Sequence, residues 1–464
     1  MRYLTVIFFL IVSFSLFAQQ PASKTVRNDL PTSKIEDDSS LRIALRDAWF
    51  GEVPSRVMNK RVEYYTLNGG SRVQVRSEAG REEFLVVLAR ELPVSLQPRN
   101  SSGSNFPGWA QGSWMLSRRI RDGSLTRIRV FPRSDPNSYV QFRPFTEDRS
   151  YMDVVVYEAY MVYSLPIAIP FERLLVLPFE TILSTVGDSF PRRYFDPEPG
   201  LYRDKLAFIE AVRGHLPKLT FTDDGAINED GNYVYIETLE YQNPNNPGAV
   251  GGLNCSGFTK WIVDGILKPI SGEKLSVAPL KLPFGNRGSS FTEAWEESRD
   301  PFFGLDWCRN LASSAGTILR SPSFAHLDEF EVRSFPFSRI IHRGSGSVSI
   351  RSYPGFLPDA GFGVEGLQPL LYALAIDEPD RIYLAAVNHD LGVPVTASNP
   401  RGTPRLRQYF HVAVLVPYFS ENGSFRITVF ESAAETSFAA FRNRYPGHYV
   451  NLVRIPLDGG FDPE

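Results

Sequence analysis

From about Leu41 to Ile169 the chain alternates apolar and polar residues in short runs. "RVEYYTLNGGSRVQVRS" does so on either side of Asn68-Gly69, a dipeptide that supplies the positive φ of a tight hairpin turn. "EEFLVVLARELP" follows and leads into a Ser/Gly/Asn/Pro-rich loop predicted over 98–108. "GSWMLSRRIRDGSLTRIRVFP" repeats the hairpin device at Asp122-Gly123, and "YVQFRPF" and "YMDVVVYEAYMVYSLPIAI" extend the series. Five or more short strands joined by such turns predict a β-sandwich or barrel-like module over 41–169.

Beyond Pro170 the spacing lengthens. "FERLLVLPFETILSTVG" and "YRDKLAFIEAVRGHL" place apolar residues three and four apart, as amphipathic helices do, and Pro178 splits the first of them. A helical connection over 170–200 therefore separates the β-rich module from a second domain over 201–464. That domain mixes helical stripes with strands, so the expected class is α+β. No repeat of fixed period runs through the chain.

The first residues, "MRYLTVIFFLIVSFSLFAQQPAS", carry one Arg, an apolar run from Leu4 to Phe17 and a small residue at Ala18. The run is shorter than the roughly 20 residues of a spanning helix, so residues 1–18 are expected to be a secretory signal peptide. The polar stretch 19–40 reads as a linker. This expectation places the mature protein outside the cytoplasm, in the periplasm or cell envelope.

Charge narrows the partners. With 49 basic and 52 acidic residues the chain is nearly neutral, which gives no electrostatic case for nucleic acid. "NRGSSF" lacks a phosphate-loop or dinucleotide pattern, and no Cys/His/Asp cluster has ligand spacing. No cofactor and no metal are implied. Two cysteines are too few for a disulfide framework, although an oxidising compartment permits one bridge between Cys255 and Cys308.

Cys255 lies in "GGLNCSGFTKWIVDGI". Gly251-Gly252 permit a sharp turn, Asn254 and Ser256 suit a helix N-terminus, and Phe258, Ile262, Val263 and Ile266 form an apolar stripe just beyond. A thiol in the first turn of a helix meets unpaired N–H groups and the positive end of the dipole, which favour a thiolate and an oxyanion. Of six histidines, His411 opens the apolar run "HVAVLVPYF", which reads as a buried strand. The hairpin turn Glu421-Asn422-Gly423 joins it to "SFRITVFESAAE", whose Glu431 returns to pass close to His411. A carboxylate there orients an imidazole; Asn451 and His448 are other candidates for that role. An inert buried thiol and a Cys255–Cys308 bridge are the alternatives for Cys255 at this point.

"GGLNCSGF", followed by an apolar helix and later by "HVAVLVPYF", resembles the NlpC-type cell-wall cysteine peptidases, relatives of the papain-like fold. The resemblance implies a nucleophile at Cys255, a base at His411 and an orienting residue for which Glu431 is the candidate. It also implies a papain-like α+β domain with an antiparallel sheet and, as substrate, the stem peptides of bacterial peptidoglycan. Tyr235 or Tyr241 in "NYVYIETLEYQNPNNPGAVGG" is expected to supply an oxyanion-hole or substrate-binding group, with Ser256 beside the nucleophile. Asn254 stands where the family usually has Asp. The stretch from Cys255 to His411 is far longer than in the compact family domain, so 270–380 reads as a large insertion. An amidase or acyltransferase on the same fold, or a non-catalytic envelope protein with a degenerate peptidase fold, are the rival functions.

Overall fold

A computed structural model describes residues 37–464 apart from 68, 97–103, 110–112, 134, 286–299, 320–326, 345–346, 353–354, 359, 391–406 and 458–459. The signal-peptide reading, the linker reading as far as residue 36, and Asn68 of the first hairpin lie outside the described residues; of the last linker residues, Asp38 is buried and Ser39 and Ser40 open the first helix. Two short helices, α1 (Ser39–Leu45) and α2 (Pro54–Met58), precede a run of antiparallel strands. These are β1 (Glu63–Thr66), β2 (Arg72–Ala79), β3 (Glu83–Leu96), β4 (Ser104–Trp109), β5 (Trp114–Arg119), β6 (Leu125–Val130), β7 (Ser138–Pro144), β8 (Ser150–Val156) and β9 (Ala159–Ile167). The loop expected at 98–108 is half strand, because β4 pairs with β3 from Leu96↔Ser104 to Glu91↔Trp109. Gly123 at φ 74° turns the β5–β6 hairpin as its sequence demands.

The module is one open meander rather than a sandwich or barrel. Alternation sends Ile128, Val130, Val140, Phe142, Met152 and Val154 to one face, where they pack with Leu45, Trp49 and Leu183. Leu183 belongs to α3 (Phe179–Val186), which Pro178 starts. Helices thus do the work that a second sheet would do in a sandwich.

The second unit begins with α4 (Arg203–His215) and the small hairpin β10 (Ala226–Ile227) and β11 (Tyr233–Val234). Next come α5 (Cys255–Ser271), α6 (Val277–Leu280), α7 (Phe303–Ile318) and α8 (Leu327–Phe330). The hairpin β12 (Arg339–Gly344) and β13 (Ser347–Ser352) does not stay with this unit: β12 pairs with β9 and extends the first sheet to eleven strands. The segment 270–380, read as an insertion, thus contributes to both sheets' surroundings.

The remaining elements are β14 (Phe362–Gly363), α9 (Leu367–Asp377), β15 (Arg381–Asp390), β16 (Arg407–Phe419), β17 (Phe425–Glu431), β18 (Ala434–Ser437), α10 (Phe438–Arg444) and β19 (Tyr449–Pro456). Their antiparallel sheet runs β14-β19-β15-β16-β17-β18. One face, through Leu384, Val414 and Val453, packs against α5 and α7; the other, through Leu415, Val429 and Leu452, packs against α9 and α10. The fold is α+β with two large antiparallel sheets.

Candidate active site

The approach to Cys255 is clamped by backbone crowding and one amide. Gln242 donates Nε2 to the Gly252 carbonyl and accepts the Gly252 N–H on Oε1, both at 2.9 Å. The chain at 220–225 runs beside it, with Asn254 N bonded to Gly225 O at 3.0 Å. A Cβ on Gly257 would stand 1.9 Å from that same carbonyl oxygen, so only glycine lets the helix start against this segment.

Asn254 caps α5, its Oδ1 accepting the Gly257 N–H at 2.8 Å. An uncharged amide suffices for this cap. The Trp307 indole on α7 donates to Ser256 O at 2.9 Å and fixes the first turn from behind. Among the described residues the N–H groups of Cys255 and Ser256 have no backbone acceptor, leaving two aligned donors at the positive end of the helix.

Strand β16 carries His411 to the thiol through an irregularity. Val387 pairs with His411 but Asn388 pairs with Tyr409, so Phe410 is the extra residue of a bulge. Bulges re-aim side chains. This one falls between Tyr409, buried in the core under α5 and α7, and His411, which faces the cleft. His411 Nε2 lies 2.8 Å from Glu431 Oε2, which leaves Nδ1 as the ring nitrogen available to Cys255, with which His411 lines one cleft. Glu431 is nearly buried and accepts a second bond from Arg444 Nη1 at 2.5 Å on its other oxygen. The Tyr445 ring sits 5.8 Å from the imidazole, centroid to centroid.

The charges follow from this geometry. Burial pushes the Cys255 thiol up, but hydrogen bonds and the charge of His411, with the Val412 N–H and the Ser256 hydroxyl, outweigh it and hold the thiol below its ordinary range. For His411 burial works against the imidazolium, yet the bonds to Cys255 and Glu431 prevail and raise it to about 9. Burial likewise opposes a charged Glu431, and the imidazole, aided by Arg444, keeps it ionised. A lowered thiol beside a raised imidazole is the arrangement that favours a thiolate–imidazolium pair. Cys308 is the opposite case: buried in α7, it is pushed up by burial and stays a thiol. Both cysteines are free.

The family model described as Domain of unknown function (DUF8515) matches residues 31–194. The match stops short of α5. No curated protein matches the chain. No solved structure matches it.

The cleft over the pair has a volume of about 330 Å³ and is walled by Phe221, Asp223, Asp300, Phe303, Phe410 and Ser432. Three of the residues expected from sequence meet there: Cys255, His411 and Ser256 line it, with Glu431 bonded behind the imidazole. Tyr235 and Tyr241 do not line it; both are exposed on the turn where Val234 bridges to Tyr241. Their segment contributes Gln242 instead. Asn451 is buried on β19, separated from β16 by β15, and His448 is half-buried with its Nδ1 3.1 Å from Pro446 O, so neither takes the place of Glu431 beside His411. Sequence reasoning missed Gln242, Trp307 and Arg444. Trp307 reaches Ser256 across 51 residues, and Gln242 and Arg444 reach their partners across 10 and 13, with no periodic pattern to mark the contact.

Proposed function

We propose that the protein is a thiol hydrolase that cleaves amide bonds through an acyl-enzyme, in the manner of the NlpC-type, papain-like peptidases. The observation that carries this reading is that Cys255, at a helix N-terminus, shares one open cleft with His411, whose imidazole Glu431 holds at 2.8 Å. In the proposed reaction the thiolate attacks a carbonyl carbon. The oxyanion is received by the N–H groups of Cys255 and Ser256, which need no reorganisation to point at it. The imidazolium at His411 protonates the departing amine, and the neutral imidazole then takes a proton from the water that releases the acid.

The substrate class in this reading is the stem peptide of bacterial peptidoglycan, reached by an exported enzyme. The leader-like first residues and the resemblance around "GGLNCSGF" support it. No helix among the described residues is long and apolar enough to cross a membrane.

The test is digestion of purified peptidoglycan fragments followed by mass spectrometry. New amino and carboxyl termini that appear with wild type and vanish with Cys255→Ala support the assignment. Intact stem peptides in the presence of protein whose Cys255 alkylates rapidly would move the activity to another amide or ester substrate.

A further inference from the structure

The outer face of the first sheet carries a hollow of its own. Strand alternation that buries Ile128, Val130, Val140 and Phe142 turns Arg127, Arg129, Tyr139, Gln141 and Arg143 the other way. Tyr160 and Tyr163 of β9 and Ile341 of β12 complete a hollow of about 430 Å³, within the roughly 300–1,000 Å³ of ordinary small-molecule sites. Three of its lining residues are arginines and none is acidic.

These arginines are held, not trailing in solvent. Asp153, fully buried beneath them, accepts Arg143 Nε at 2.7 Å and Nη2 at 2.9 Å, and Gln141 Nε2 at 3.0 Å. Arg129 Nε donates to Gln141 Oε1 at 3.1 Å, so one rung across β6, β7 and β8 is a continuous polar chain. Ser164 is forced to φ 54°, where its N–H reaches Asp153 at 2.7 Å and its hydroxyl receives Arg143 Nη2 at 2.7 Å. A non-glycine residue at such a φ is uncommon and marks a place where the surroundings impose geometry. Arg129 lies over the Tyr139 ring at 4.8 Å, and Arg339 lies over Tyr163 at 4.4 Å with no carboxylate partner among the described residues. Arg127 meets Glu83 at 3.2 Å, both one-third exposed, a pair an incoming anion can displace. Among the described residues, the guanidiniums of Arg127, Arg129, Arg143 and Arg339 gather on this face with Asp153 and Glu83 as the carboxylates that pair with Arg143 and Arg127.

We propose that this face binds the anionic group, carboxylate or phosphate, of a sugar acid. Arginine forks match the oxygens of either group, and the fixed fork geometry lowers the ordering cost. The half-buried Tyr163 ring and the Gln141 amide offer an apolar plane and a polar edge for a hydroxylated ring. Burial and the nearby Asp153 raise the Tyr160 phenol to about 12, so it stays neutral and adds no repulsion to an anion.

The experiment titrates the full chain with glucuronate, glucose 6-phosphate and neutral glucose, followed by calorimetry or nuclear magnetic resonance. Saturable binding of at least one anionic sugar is expected, weakening as salt rises, with glucose not binding. The stronger of the two anions identifies the source of the charge. Arg127→Gln/Arg129→Gln should weaken binding by about tenfold or more at unchanged Tm, whereas Cys255→Ala should not. Should the double variant fail to fold, Arg339→Gln at the rim is expected to weaken binding in the same direction. No binding of either anion, equal binding of glucose, or arginine variants that bind like wild type would overturn the proposal.

Discussion

Glu431 Oε2 lies 2.8 Å from His411 Nε2, and its other oxygen is held by Arg444, so the carboxylate has an anchor independent of the imidazole it orients. The orientation of the base is therefore set by two strands and a helix together. Glu431→Gln keeps the shape and removes the charge. Without it the His411 pKa falls and the thiolate loses part of its counter-charge. The pH window of the ion pair should then narrow from both sides, with kcat/KM at neutral pH down by about tenfold or more. An unchanged pH profile in Glu431→Gln would show that the carboxylate has no part in setting the pair.

Arg444 acts through Glu431 and lies over the Tyr445 ring at 5.7 Å, and it is a positioning residue. Arg444→Gln should leave KM unchanged, lower kcat a few-fold and shift the basic limb of the profile downward. A stability loss without a shifted limb would mark it as merely structural.

The stability of the protein should register the same pair. His411 has an ordinary value of 6.5 and a folded value of about 9. Its contribution is complete below the ordinary value and lost as pH rises through about 9. Cys255, lowered from 9.0, contributes above that value and loses the contribution as pH falls through its folded pKa. Urea midpoints of wild type and His411→Ala should therefore converge as pH rises through about 9. A constant gap across that range would contradict the raised imidazole.

Gly257→Ala should cost about 3 kcal/mol or more, because a methyl cannot share space with the Gly225 carbonyl 1.9 Å away. Asn254→Ala should cost about 1 kcal/mol, the usual loss for a helix cap, while Asn254→Asp should be close to neutral. Urea denaturation of the three variants checks both magnitudes.

What was legible in the sequence was local. Asn254, the glycine pair and the stripe Phe258, Ile262, Val263 and Ile266 lie within sixteen residues and predict α5 from Cys255 onward. The hairpin at Gly423, with φ 76°, lets Glu431 be placed beside His411 by counting along two strands. What was not legible depends on distant partners. Alternation in β5 to β9 announces one buried face but not whether helices or a second sheet cover it. The pairing of β12 with β9 and the Phe410 bulge are set by contacts far along the chain. Around Tyr235 and Tyr241 the segment has no periodicity from which to read direction. The tyrosines attracted the functional reading, and Gln242 makes the contacts.

The most direct test of the central claim is the pH dependence of iodoacetamide alkylation at Cys255, with the site assigned by mass spectrometry, in wild type and His411→Ala. The account predicts fast labelling of Cys255 well below pH ~8, where an ordinary thiol of pKa roughly 8.5 reacts slowly. It also predicts that this labelling is lost in His411→Ala, with Cys308 unlabelled in both folded proteins. Slow labelling of Cys255 that is indifferent to His411, or a Cys255–Cys308 bridge in untreated protein, would contradict it.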